Sequence, residues 1–96
     1  MPFTIILVPS VEITIDDLQH TNIGKHKKVL KTLGLLQTNP KHPGLHTHEY
    51  SAMAGPKGEK VFEAYVENNT PSAYRLFFYY GPGANKITVI AVTPHP

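Results

Sequence analysis

The chain has no cysteine, which excludes a disulfide framework and any zinc site built on thiolates and is compatible with a reducing cytoplasm. No apolar stretch approaches the ~20 residues that a membrane span requires, so no membrane association is expected. The apolar start, Met1-Pro2-Phe3-Thr4-Ile5-Ile6-Leu7-Val8, lacks the basic residues and small-residue cleavage site of a secretion signal and reads as a strand. Charge is scarce as well: charged residues make up 17% of the chain against 41% hydrophobic, a balance that specifies a folded chain. The net charge of +2 is too small to act as a global field, so contact with nucleic acid would depend on local clusters. Six histidines add a pH-dependent reserve of positive charge. Ninety-six residues suffice for one domain, spanning 1–96, with a two-layer core.

What is present is a well-punctuated alternation of apolar runs and turns. The turns Gly55-Pro56-Lys57-Gly58, Asn68-Asn69-Thr70-Pro71 and Gly81-Pro82-Gly83-Ala84-Asn85 combine Pro with Gly or Asn and separate strands expected over 45–53, 60–67, 73–80 and 86–93. Residues 3–8 supply a further buried strand, ended by Pro9-Ser10. The stretch after it is ambiguous. Val11, Ile13 and Ile15 alternate as in a strand, whereas Ser10 as N-cap with Glu12, Asp16 and Asp17 in the early turns suits a helix over 10–19, which is the reading adopted. Asn22 caps a second helix to about residue 37, with Ile23, Leu30, Leu33 and Leu36 or Gln37 as its apolar stripe, and Asn39-Pro40 stops it. The order strand, helix, helix, consecutive hairpins predicts an α+β fold. Two helices pack on one face of a twisted, mainly antiparallel sheet of four to five strands, and the other face stays partly open.

Several passages resemble the RelE/ParE superfamily, the toxin halves of bacterial toxin-antitoxin pairs. They are 31–40 running into Pro43-Gly44-Leu45-His46-Thr47-His48, then Tyr74-Arg75-Leu76-Phe77-Phe78-Tyr79-Tyr80, and the terminal stretch 87–96. The resemblance implies a RelE-like fold and, for the mRNA interferase branch, ribosome-dependent cleavage of mRNA by residues on the exposed sheet face. It implies a cognate antitoxin as partner, with the ribosome and mRNA, a cytoplasmic location and no cofactor. The arginine of that family's penultimate strand matches Arg75, and the histidine that several members carry at the end of the last strand matches His95. This chain departs from the pattern where Glu63, Ala64 and Tyr65 replace the lysine-rich third strand of RelE, and where Pro96 replaces the final aromatic of some members. The turn over 68–72 is also longer than in compact members.

Internal transesterification of RNA needs a base for the 2′-hydroxyl, an acid for the departing 5′-oxygen and positive charge beside the phosphorane, and it requires no metal. Alternate strand residues share a face. If the faces coincide, Glu63, Arg75 and His95 form a carboxylate, guanidinium and imidazole set, with Glu63 as general base, His95 as general acid and Arg75 as a bidentate phosphate clamp. The structural alternatives are a cross-strand ion pair of Arg75 with Glu63 or Glu67, a solvated Glu63 and a frayed terminal His95. Lys57, Lys60, Tyr65 and Tyr79 are the candidate RNA contacts, the tyrosines as stacking platforms along with Phe77, against the alternative of simple packing. The helix lysines and Lys41 fit either ribosomal RNA phosphates or a solvated face. His42, His46 and His48 lack the spacing of a metal motif, and His48 reads as a hydrogen-bonded strand support. Two other functions stay open: a non-catalytic ParE-like inhibitor of DNA gyrase, and a RelE-fold protein that has lost catalysis. The oligomeric state is not encoded in any pattern here.

Overall fold

The computed structural model describes residues 2–95; Pro96, where the resemblance had expected an aromatic, lies outside them. Strand β1 (Thr4–Leu7) leads into helix α1 (Pro9–Thr21) and helix α2 (Ile23–Thr38), and a 3-10 turn (Pro43–Leu45) precedes β2 (His48–Ala54), β3 (Lys60–Tyr65), β4 (Tyr74–Tyr80) and β5 (Lys86–Pro94). The strands form one sheet in the order β1-β5-β4-β3-β2. The last four are a meander of antiparallel neighbours, and β1 closes the sheet by pairing parallel to β5, Thr4 opposite Lys86 and Leu7 opposite Val89. The α+β architecture expected from the order of elements is the one observed.

Local chemistry explains the helix boundaries. Pro9 stands at the start of α1, where its fixed φ suits a first helical residue and its missing N–H costs nothing. The helix therefore begins ahead of Ser10, and Val8 is the N-cap without any side-chain cap. The alternation at Val11, Ile13 and Ile15 is helical after all: Val11 and Leu18 are buried and Ile13 is exposed. Asn22 ends α1 and begins α2, its side chain accepting from the Lys25 N–H at 3.1 Å.

The inward stripe of α2 keeps Leu36, which is buried, and Leu33, which packs against the core, but not the rest of the expected one. Ile23 and Leu30 are 56% and 48% exposed, while Val29, Thr32 and Leu36 are buried, so the contact face runs Lys25, Val29, Thr32, Leu36. The same face meets the β3–β4 turn, where Lys25 and Lys28 pair with Glu67 and where Lys25 also lies 4.0 Å from the Tyr74 ring centre. Both faces of α2 carry enough aliphatic residues to read as a stripe, and the one that buries Val29 and Leu36 turns inward.

The helices cover the sheet face that carries Ala64, Leu76, Phe78, Ile87, Val89 and Val92, which form the core with Val11, Val29, Leu36 and Leu45. The opposite face carries Glu63, Tyr65, Arg75, Phe77, Tyr79, Thr93 and His95. That second face is less open than expected, since Val61, Phe77, Tyr79 and Thr88 on it are buried. The Tyr50 ring lies 4.9 Å from that of Phe77. The register shifts between Glu49 and Ala54 of β2 and between Phe77 and Phe78 of β4 against β5 are places where such irregularities raise the local twist of a sheet. Among the described residues no helix is long and apolar enough to cross a membrane.

Candidate active site

The β3–β4 register sets Glu63 opposite Phe77 and Tyr65 opposite Arg75, so Glu63 and Arg75 are diagonal neighbours on the same face. On the next strand Arg75 is opposite Thr93, which continues the face towards His95. The His95 N–H donates to the Ala73 carbonyl at 2.8 Å, which extends the ladder one residue past β5 and holds the backbone of this near-terminal residue. From β2, His48 is the direct cross-strand partner of Glu63.

Glu63, Arg75 and His95 thus converge. Arg75 Nε lies 3.9 Å from Glu63 Oε2, and His95 Nδ1 lies 3.6 Å from the same oxygen. His48 Nε2 reaches the other oxygen, Oε1, at 2.7 Å. Glu63 is 2% exposed and Arg75 6%, whereas the imidazoles of His48 and His95 are about half exposed. The carboxylate is therefore neither solvated nor fully paired. Among the described residues the buried side-chain atoms without a hydrogen-bond partner are Glu63 Oε2 and Arg75 Nε. Buried polar atoms are nearly always satisfied in folded proteins, yet these two meet only as the cross-strand ion pair named as the structural alternative for Arg75, at 3.9 Å and too long for a hydrogen bond.

Arg75 is held from behind. Its Nη1 donates to the carbonyls of Glu67 and Tyr74, and its guanidinium carbon lies over Tyr65, 3.6 Å from the ring centre. These contacts commit Nη1 to backbone carbonyls, and the N–H turned towards Glu63 is that of Nε, so a bidentate phosphate clamp by Arg75 would have to use Nε with Nη2. Tyr65 is correspondingly a support for the guanidinium, with the His46 ring 4.9 Å from its own.

The remaining expected contacts are dispersed. Tyr79 is on the same face but only 6% exposed, so its ring is packed where a base would have to stack, and Phe77 is fully buried. Lys60 shares its strand parity with Phe62 and Ala64 and so faces away from Glu63, with its amine 4.0 Å from Glu49. Lys57 sits in the β2–β3 turn, its N–H bonded to Glu59 Oε1 at 2.8 Å, roughly 10 Å or more along the strand from Glu63 at ~3.3 Å per residue. His46 is not on a strand: it ends the 3-10 turn in the left-handed conformation, φ 50. Among the described residues no group of three or more His, Asp or Glu is arranged to hold a metal ion.

A second carboxylate lies nearby and is fully employed. Glu67 accepts from the Tyr74 N–H at 3.1 Å and pairs with Lys25 at 3.2 Å and Lys28 at 3.1 Å. Burial by itself pushes its carboxyl up, but the Tyr74 N–H and the two ammonium groups outweigh that and hold it below the ordinary value. Sequence reading missed two partners, His48 for Glu63 and the lysine pair for Glu67. The first becomes visible only once the β2–β3 register is known, and the second only once the inward face of α2 is known.

The class this architecture defines is the RelE-like fold. The chain superposes on a chain of the crystal structure of the archaeal RelE-RelB complex from Pyrococcus horikoshii OT3 with a TM-score of 0.70 and 13% sequence identity, covering 98% of this chain and 96% of that one. No protein-family model and no curated protein matches the sequence. At that identity the likeness is one of fold.

Proposed function

We propose that this chain is the toxin component of a bacterial or archaeal toxin-antitoxin pair and that it cleaves mRNA on the ribosome, a single toxin domain acting in the cytoplasm without a metal. The observation that carries the reading is the facing pair of unsatisfied buried atoms, Glu63 Oε2 and Arg75 Nε, beside the half-exposed His95. A ribose 2′-hydroxyl donates to Oε2, which removes its proton; the 2′-oxygen attacks the adjacent phosphorus and the bond to the 5′-oxygen breaks. His95 donates a proton to that 5′-oxygen, leaving a 2′,3′-cyclic phosphate on one fragment and a 5′-hydroxyl on the other. The Arg75 Nε–H meets the charge that grows on the phosphorane, in a setting where fixed donors act more strongly than in water. Because Oε2 is shielded, entry of the ribose needs the His95 ring to rotate about a backbone pinned to Ala73. The RelE-RelB neighbour supports an antitoxin as the protein partner.

Purified protein added to a translating system, followed by mapping of mRNA ends, tests the reading. The expected result is new ends that depend on ribosomes, carry the cyclic phosphate and vanish in Glu63→Gln. The commitment of Arg75 Nη1 to carbonyls favours the alternative of a catalytically silent relative, which predicts unchanged mRNA. Inhibition of gyrase supercoiling without RNA cleavage would assign the ParE-like function instead.

A further inference from the structure

The 2.7 Å contact between His48 Nε2 and Glu63 Oε1 constrains where protons sit. On its other side the same ring has Nδ1 2.8 Å from the His46 carbonyl oxygen. A carbonyl oxygen has no proton to give, so Nδ1 is the donor there and the ring is fixed in the Nδ1–H tautomer or as imidazolium. A neutral ring in that tautomer presents a bare nitrogen to Glu63. Two bare acceptors do not approach to 2.7 Å, a separation typical of charge-assisted pairs at about 2.7–2.9 Å. One proton therefore lies between Nε2 and Oε1, on whichever atom holds it. The left-handed turn at His46, φ 50, places the carbonyl that fixes the ring, and the His48 ring stands edge-on to Tyr65 with ring centres 6.1 Å apart.

We infer that His48 is a positioning residue for Glu63: its carbonyl-anchored ring engages Oε1 through one shared proton, orients the carboxylate and turns Oε2, the oxygen without a hydrogen bond, towards His95 and Arg75, where substrate gains it once the His95 ring moves. The inference rests on the proposed RNA chemistry and assigns a group outside the Glu63, Arg75 and His95 set. The geometry also gives the base a route for relaxation. When Oε2 takes the 2′-hydroxyl proton, the carboxyl yields the shared proton to Nε2, so the pair gains one proton in all and His48, half exposed, releases it to water. No bond other than those to hydrogen changes in this step.

Two measurements test it, and they fail separately. Long-range proton–nitrogen NMR reports each ring nitrogen of histidine, with His48 assigned by its loss in His48→Gln. The expected spectrum has a protonated Nδ1 and an Nε2 resonance that moves towards the bare-nitrogen range in Glu63→Gln. A bare Nδ1, or an Nε2 indifferent to that substitution, overturns the pairing whether or not the protein cleaves RNA. In the cleavage assay, folded His48→Ala is expected to lose roughly 10²-fold in kcat with little change in KM, near the lower end of what positioned acid–base groups contribute. Added imidazole is expected to restore part of that rate in His48→Ala and none in Glu63→Gln. A His48→Ala protein that cleaves at the full rate removes the role of His48 and leaves the proposed function standing. A wild-type protein that does not cleave removes the proposed function, and with it the role of His48 in catalysis.

Discussion

Glu63 and Glu67 belong to the same short stretch of chain, are both largely buried, and are treated in opposite ways. Glu67 has every influence it needs: a backbone N–H from Tyr74 and the ammonium groups of Lys25 and Lys28, which tie helix α2 to the β3–β4 turn. Glu63 has one oxygen on His48 and the other without a partner. Arg75 joins the two environments, with Nη1 holding the Glu67 carbonyl and Nε facing the empty oxygen of Glu63. A satisfied carboxylate builds architecture, and one left short of a hydrogen bond beside two half-exposed imidazoles is available for chemistry.

The comparison breaks most sharply on activity. Glu63→Gln and His95→Ala are each expected to reduce ribosome-dependent cleavage by about 10²–10⁴-fold, the contribution of a general base or acid, measured as initial rates of mRNA end formation. In the same protein Glu63→Gln is expected to lower the thermal midpoint, because it leaves the buried Arg75 guanidinium without the carboxylate beside it. Cleavage lost by far more than the midpoint shift explains separates the chemical role of Glu63 from the structural role of Glu67.

Arg75→Ala should affect both regions. Removing the donors to the Glu67 and Tyr74 carbonyls costs about 2–3 kcal/mol in chemical denaturation, as expected for two charge-assisted bonds to buried carbonyls, and cleavage falls with it. Arg75→Lys is expected to recover little of either, since an ammonium cannot present Nη1 and Nε at once.

Glu67→Gln should cost about 1–3 kcal/mol at neutral pH and leave cleavage intact. The pH dependence has a definite sign. The folded carboxyl is held below its ordinary value of 4.5, so its stabilisation is present above that value and is lost as the pH falls through the lowered one. Denaturation curves of wild type and Glu67→Gln should therefore converge in acid, and a constant gap down to low pH would deny the ion-pair account. The smallest effects are expected for Lys57→Ala and Lys60→Ala, within about 0.5 kcal/mol in stability and without change in the salt dependence of RNA cleavage, because neither amine faces the site.

Some of this was legible before any coordinates. The three Pro/Gly/Asn turns locate the hairpins, and period-two parity puts Glu63, Arg75 and His95 on one face once the strands are neighbours. Lys60, an expected RNA contact, shares its strand parity with Phe62 and Ala64 and so lies on the face turned from Glu63. The face of α2 is only partly legible: Leu33 and Leu36 of the expected stripe pack inward, but Ile23 and Leu30 are exposed and Val29 takes the inward place, because apolar residues lie on two sides of the helix. Which side turns inward is settled by packing against strands far away in the chain. The burial of Tyr79 and Phe77 is likewise a tertiary outcome, Phe77 being covered by the Tyr50 ring from a strand beyond its own hairpin.

Sequence alone determined where the chain turns, which residues alternate and that two helices precede a meander, because these follow from local sterics and from spacing along the chain. Tertiary structure decided that β1 closes the sheet against β5, that His48 meets Glu63, and that one carboxylate is completed while its neighbour is not. Those outcomes depend on register and on which helix face turns inward, and both are settled by contacts between distant residues.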